Sequence, residues 1–122
     1  MRENFKFIDK EGKIINCYKW LTDKTPRAIV YIAHGMAEDA LRYDYFAKKL
    51  NDNGYLVYTH DHRGHGLTDS DEGRGYIADD EGFEVLASNL DELIVNAKND
   101  NEGLELILFA HSMGSFVSLR YL

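Results

Sequence analysis

The sequence predicts an α/β fold in which an antiparallel hairpin leads into a mostly parallel sheet with helices on both faces. Three observations carry that prediction. Two strand-like segments flank a polar tetrad ending in Gly12 near the amino terminus, the pattern of a β-hairpin. Beyond it, short apolar runs alternate with stretches of helical periodicity, as they do in βαβ units. The run Ala28-Ile29-Val30-Tyr31-Ile32-Ala33 is apolar throughout, as strands covered on both faces are.

Each element has a local reason. Phe5 and Phe7 precede the turn Asp9-Lys10-Glu11-Gly12, and Ile14, Ile15, Tyr18, Trp20 and Leu21 follow it. Residues from Thr22 to Pro26 read as a loop, and the six-residue run after it is too short for a helix. From Asp39 to Asn53 the apolar positions Leu41, Tyr45, Phe46 and Leu50 recur at helical spacing, with Gly54 as the stop. Tyr55-Leu56-Val57-Tyr58 reads as a strand that ends in a loop dense in His and Gly. Phe83, Leu86, Leu90, Leu93, Ile94 and Ala97 step by threes and fours, so Glu81–Asn99 is predicted as an amphipathic helix. Leu104–Phe109 reads as another buried strand, and the segment holding Val117, Leu119 and Leu122 opens a further helix. A helix opened there requires a following strand to cover it, so the architecture reads as the amino-terminal portion of one domain.

Composition narrows the function classes. At 122 residues, 44% apolar and 12% aromatic, the chain has the length and make-up of one globular domain, which excludes disordered and fibrous classes. No run reaches the ~18 apolar residues of a membrane helix. The stretch Met1-Arg2-Glu3-Asn4-Phe5-Lys6 is polar and lacks the apolar core of a secretory signal. The single Cys17 cannot form an internal disulfide and is expected as a buried, reduced thiol, so the expected compartment is the cytoplasm. Fourteen basic residues against 21 acidic ones, a net −7, disfavour nucleic acid and anionic membrane surfaces as partners. Much of the excess lies between Asp69 and Glu81, where only Arg74 opposes six acids; a solvated loop and helix start is expected there.

Three segments carry chemistry. Ala110-His111-Ser112-Met113-Gly114 stands between a predicted strand and a predicted helix. A turn this tight lifts its middle residue above the sheet edge, and small flanking residues avoid clashes. The helix that follows aims its free N–H groups at the same place. Ser112 is thus a candidate nucleophile. His34-Gly35-Met36 follows the first central strand; a glycine there permits a sharp turn and frees the Met36 N–H. With the Met113 N–H it would form a two-donor oxyanion hole. His34 itself reads as a structural residue of the turn.

The third segment runs from His60 through Asp61-His62-Arg63-Gly64-His65-Gly66-Leu67-Thr68. Its His60, His62 and His65 have the H-x-H-x-x-H spacing of loops that gather imidazoles around Zn²⁺, which keeps a metal-dependent hydrolase open as an alternative. Gly64 stands where such loops carry an Asp, and no later His or Asp ligand stands in a comparable context. The preferred expectation is a glycine-rich turn in which Asp61 pairs with Arg63 and His65 bonds backbone, with no metal.

Together these segments resemble the serine α/β-hydrolases, in particular the monoacylglycerol lipase and lysophospholipase branch. His34-Gly35-Met36-Ala37-Glu38 matches that branch's H-G-x-x-E segment, Asp61–Thr68 matches D-x-R-G-H-G-x-[ST], and Ala110–Gly114 matches G-H-S-M-G with Ala110 in place of the first glycine. The resemblance implies an α/β-hydrolase fold, an acyl-enzyme formed on Ser112, and oxyanion donors at Met36 and Met113. It assigns motif roles to His34, Gly35, Asp61, Arg63, Gly64, His65, Gly66 and Gly114. It implies a small monoacylglycerol- or lysophospholipid-like ester as substrate and no cofactor. The family's triad acid and histidine come later in the chain than Leu122, so these 122 residues are expected to be inactive alone, with an open sheet edge prone to self-association. A non-catalytic binding module of hydrolase ancestry is the other alternative.

Overall fold

The computed structural model describes residues 1–35, 40–63, 65–68 and 82–111. Strand β1 (Arg2–Ile8) and strand β2 (Ile14–Trp20) form the predicted hairpin, paired antiparallel from Arg2 opposite Trp20 to Ile8 opposite Ile14. Asp9 builds its turn: its Oδ1 accepts the N–H groups of Glu11 and Lys13, each at 2.9 Å. Short Asp side chains fold back on their own backbone in this way.

Strand β3 (Ala28–Ala33) occupies the predicted apolar run, and all six residues are buried. The predicted 39–53 helix is divided. A 3-10 turn, Ala40–Tyr43, leads into helix α1 (Asp44–Asp52). Tyr43 offers no side-chain cap, and the α-helix starts at Asp44, whose Oδ1 accepts the Trp20 indole N–H at 2.8 Å. Gly54 stops it, its N–H donating to the Asn51 carbonyl at 3.0 Å. Strand β4 (Tyr55–His60) runs two residues further than the apolar tetrad suggests, because Thr59 and His60 are also buried. Helix α2 (Gly82–Asp100) and strand β5 (Leu106–Ala110) complete the described elements.

The five strands lie in the order β1-β2-β4-β3-β5. β2 and β4 are antiparallel, while β4, β3 and β5 are mutually parallel. Each face of the sheet has its own core. On one, Leu86, Leu90, Leu93, Ile94 and Ala97 of α2 cover Ile15, Cys17, Ile29, Tyr31, Leu56 and Tyr58. On the other, Ala40 and Ala47 pack with Tyr18, Trp20, Val30, Ile32 and Val57. One helix per face is the layered solution expected of a parallel sheet.

β5 departs from expectation. Its residues alternate between half-buried and exposed, with Ile107 49% and Phe109 40% exposed. It pairs with β3 along one side only among the described residues; α2 covers one face, and on the other Phe109 meets the rings of Tyr43 and Phe46.

The Trp20–Asp44 contact anchors α1 to the sheet. Trp20 is 1% exposed, and Asp44 also meets Lys48 at 2.9 Å and Arg2 at 3.2 Å. The Trp20 hydrogen bond leads the interactions that hold the Asp44 carboxyl below its ordinary range. Trp20→Phe keeps most of the apolar volume and removes a hydrogen bond to a charged acceptor. A stability loss of about 2 kcal/mol is expected in urea unfolding at pH 7, shrinking below pH 3.8 as Asp44 protonates in either protein.

Candidate active site

The parallel strands β3, β4 and β5 deliver their carboxyl ends, Ala33, His60 and Ala110, to one edge of the sheet. Ala33 and Ala110 are register partners, and the His111 N–H donates to the Ala33 carbonyl at 3.2 Å. The chain leaves β3 toward α1 on one face and leaves β4 toward α2 on the other. A crevice opens where such connections diverge, and parallel sheets bind ligands there.

Asp61 organises that edge. It is 1% exposed. Its Oδ1 accepts the Ala40 N–H at 2.7 Å, and its Oδ2 accepts Asn16 Nδ2 at 2.7 Å and the Leu67 N–H at 3.0 Å. The Thr68 hydroxyl donates to the Asp61 carbonyl and accepts the Asn16 N–H, both at 2.8 Å. One carboxylate therefore joins β2, the turn before α1 and the loop after β4. Three donors replace the water that a buried carboxylate loses. Gly66 makes room for it: its φ is +51°, and a Cβ built there would overlap the Asp61 carboxyl carbon and both oxygens.

Arg63 does not pair with Asp61 as the sequence suggests. Its Nη2 reaches Asp9 Oδ2 at 2.5 Å and Glu11 Oε1 at 2.8 Å, and its Nε donates to Asn89 Oδ1 at 3.1 Å. Asn89 closes the node by donating Nδ2 to Asp9 Oδ2 at 2.8 Å. The hairpin turn, the loop after β4 and α2 thus meet at one ion pair. Asp61 turns away because the Asn16, Ala40 and Leu67 donors already occupy its oxygens. Burial alone would raise the Asp9 carboxyl, but hydrogen bonds from Arg63, Asn89 and the backbone of Lys13 and Glu11 outweigh it, and the net shift is downward. Arg63→Met is expected to cost about 2 kcal/mol at pH 7, because Asp9 stays buried with one charged partner fewer. The Asp9 titration, followed by carboxyl NMR, should move upward in that variant.

Four imidazoles pack behind the loop. His34, His60 and His62 are fully buried and His65 is 5% exposed. The His34 and His62 ring centroids are 4.2 Å apart, and His60 meets His62 edge-on at 5.0 Å. His34 Nε2 accepts the His62 N–H at 2.9 Å, so its proton sits on Nδ1, which bonds the Gly35 carbonyl at 2.7 Å. His62 Nε2 donates to the His34 carbonyl at 3.1 Å, and His65 Nδ1 to the Arg63 carbonyl at 3.0 Å. His60 Nδ1 lies 2.6 Å from the Tyr31 hydroxyl. Burial, which a proton added to His34 would reinforce, pushes the His60 titration down to about 3, and burial likewise holds His62 well below its ordinary value. Both are neutral at pH 7.

The metal alternative finds no ligand set: among the described residues no three His, Cys, Asp or Glu side chains are grouped to hold an ion. Of its three histidines, each has one ring nitrogen engaged by Tyr31, His34 or Arg63, while His60 Nε2 and His62 Nδ1 are buried without a hydrogen-bond partner among the described residues. The candidate nucleophile Ser112, the candidate donors Met36 and Met113, and the motif glycines Gly64 and Gly114 lie outside the described residues, as do the acidic stretch from Asp69 to Glu81 and the last predicted helix. Among the remaining motif positions, His34, Gly35, Asp61, Arg63, His65 and Gly66 converge on the carboxyl edge. Asp9, Asn16 and Asn89 were missed. Their signal was a polar residue in an apolar context, since Asn89 lies three residues after Leu86 and four before Leu93 on the buried stripe of α2.

No helix among the described residues is long and apolar enough to cross a membrane. Comparison with known proteins adds the family. The rat monoglyceride lipase is 31% identical over 112 residues, covering 92% of this chain and 35% of that protein. The monoacylglycerol lipase of Mycolicibacterium smegmatis is 37% identical over 120 residues, 98% of this chain and 41% of that one. A thermostable carboxyl esterase from Bacillus coagulans superposes with a TM-score of 0.89 at 30% identity, covering 98% of this chain and 39% of its own. The chain thus spans well under half the length of these relatives. Residues 24–122 match the hydrolase family described as serine aminopeptidase, S33, and the chain belongs to that family, with the amino-terminal part of an α/β-hydrolase fold.

Proposed function

We propose that this chain is the nucleophile-bearing portion of a serine carboxylic-ester hydrolase acting on monoacylglycerol- or lysophospholipid-like esters. The observation that carries the reading is the convergence of three strand ends. β5 runs in register with β3 and ends at Ala110, two residues before Ser112, while His34-Gly35 and the Asp61–Thr68 loop emerge at the same edge. In this reading Ser112 attacks the ester carbonyl, the alcohol leaves, and water releases the acid from the acyl-enzyme. The Met36 and Met113 amides stabilise the oxyanion.

The general base and its acid partner come from a segment outside these 122 residues. That assignment rests on the state of four of the five imidazoles, with His111, which directly precedes Ser112, read as sending its side chain out of the turn in another direction. His34, His60 and His62 are fully buried and hydrogen-bonded into the fold, and His65 is bound to its own loop. A base must approach the serine hydroxyl to about 3 Å and hand on a proton. The chain alone is therefore inactive, and it works in a reducing compartment such as the cytoplasm, where its lone buried thiol persists. Among the described residues β5 pairs on one side only, and an edge left so would make the isolated chain prone to self-association.

Ester rather than peptide chemistry is favoured by the relatives. The two lipases and the esterase named above bear ester-cleaving names, although the family description names an aminopeptidase. The test starts with the intact mass of the protein in its native source, traced by tryptic peptides of this chain. The isolated protein is then treated with a fluorophosphonate and assayed on monoacylglycerol and on an aminoacyl anilide. Label on Ser112 with monoacylglycerol turnover supports the reading. Label elsewhere, or anilide turnover alone, overturns it.

A further inference from the structure

Of the asparagines in the chain only Asn53 is followed by glycine. An asparagine so placed closes to a cyclic imide more readily than any other, because the glycine nitrogen carries no bulk to the amide carbon it attacks. Asn53 caps the C-terminus of α1 and is exposed; Gly54, buried and with a φ of +86°, turns the chain into β4. The fold holds the pair away from that reaction. The Gly54 N–H donates to the Asn51 carbonyl at 3.0 Å, so the attacking nitrogen is bonded elsewhere. Asn53 Nδ2 donates to the Lys49 carbonyl at 2.9 Å, which draws the amide back along the helix. With ψ at 12° the Gly54 nitrogen lies across the Cα–C bond from the Asn53 side chain. The Thr22 hydroxyl bonds the same Asn51 carbonyl at 2.7 Å and fastens this last turn of α1 to the loop after β2.

We propose that Asn53 is a site of spontaneous conversion to isoaspartate, gated by opening of the last turn of α1. Once the turn opens, ψ rotates and the Gly54 nitrogen attacks Asn53 Cγ, its proton passing to solvent. The Cγ–Nδ2 bond breaks, and the nitrogen leaves as ammonia with a proton taken from solvent. Water then opens the imide at either carbonyl and leaves aspartate or isoaspartate, each with a new negative charge. Isoaspartate lengthens the backbone by a carbon at the joint between α1 and the sheet. There the Gly54 carbonyl accepts the Arg27 N–H at 2.8 Å, and Asn51 Nδ2 reaches the Tyr55 carbonyl at 2.7 Å and the Trp20 carbonyl at 3.1 Å. A longer chain at residue 53 pulls these bonds out of register, so the modification loosens α1 from the sheet.

The test incubates the protein isolated from its source at mildly alkaline pH, folded and unfolded in urea, beside a synthetic peptide of the sequence Lys49–Val57. Isoaspartate is read as a tryptic peptide in which hydroxyl has replaced amino. It is confirmed by transfer of labelled methyl from S-adenosylmethionine by an isoaspartyl methyltransferase. In the unfolded protein residue 53 should react ahead of every other asparagine and at the rate of the peptide. In the folded protein it should react about 10-fold more slowly or less, because the opened turn is a minor state. Asn53→Gln should abolish the signal at that position in all samples. In the modified protein the Arg27 amide should exchange with solvent about 10-fold faster or more. The proposal is overturned by an unfolded protein without isoaspartate at residue 53, by another asparagine reacting first there, by equal rates in the folded protein and the peptide, or by unchanged Arg27 exchange after modification.

Discussion

Between pH 6.5 and 4 the protein is expected to lose much of its stability, and the loss begins well above the range in which carboxylates titrate. His60 and His62 are fully buried, and their titrations lie far below the 6.5 of a free imidazole, at about 3 for His60. The folded state excludes protons that the unfolded chain accepts. Stability is thus intact above pH 6.5 and declines as the pH falls below it, by up to roughly 1.4 kcal/mol per pH unit for each histidine. His60 alone removes about 3 kcal/mol over two units, and His62, shifted in the same direction, adds to that loss, against the roughly 5–15 kcal/mol that holds a small domain folded. Asp9 and Asp44, whose carboxyls are held low, add a second loss only below their unfolded value of 3.8. Urea midpoints measured at half-unit steps from pH 7.5 to 4.5 resolve the two windows. A flat profile down to pH 5 would show that the imidazoles are solvated, contrary to their burial.

Gly66→Ala is the substitution with the largest expected effect. The new Cβ would sit within the Asp61 carboxyl group, so either the carboxylate or the loop must move. If Asp61 moves, it gives up the Ala40 N–H, Asn16 and Leu67 donors, at about 1.5–3 kcal/mol for each bond to a charged acceptor. If the loop moves, the positive φ at residue 66 relaxes and Thr68 leaves Asn16. Either route costs on the order of 4 kcal/mol or more, which is rare for adding one methyl group. Gly12→Ala is the control, because Gly12 has a φ of +83° and nothing within 4 Å of the added atom; only the backbone preference of about 1 kcal/mol is lost. Equal costs for the two variants would mean that Asp61 is not packed against Gly66.

The fold was legible where periodicity is the whole cause. β3 occupies its six apolar residues, and α2 begins and ends one residue later than Glu81–Asn99. It was less legible where a distant neighbour decides. The start of α1 is set with Trp20, 24 residues away, and the exposure of β5 follows from its place at the margin of the sheet. The candidate site shows the same division. The glycine-rich loop announces its sharp turn, but the partners of Arg63 lie 54 and 52 residues away in the hairpin, and local spacing favoured the nearer Asp61. The spacing of His60, His62 and His65 suggests a ligand row along one loop, whereas His34 enters from β3 and packs at a tilt against His62. Cross-strand register decides that contact, and no single segment contains it.

Cys17 gives the molecule a built-in clock. It is fully buried in β2, opposite Phe5 on one side and His60 on the other. Burial first, then the charge of Asp61, push its thiol up to about 12. A thiol so protonated and enclosed is inert to alkylating reagents while the strands remain paired. Because it is the only cysteine of the chain, each alkylation event records one opening of the sheet beside the carboxylate hub, so the labelling rate counts those openings without any added probe.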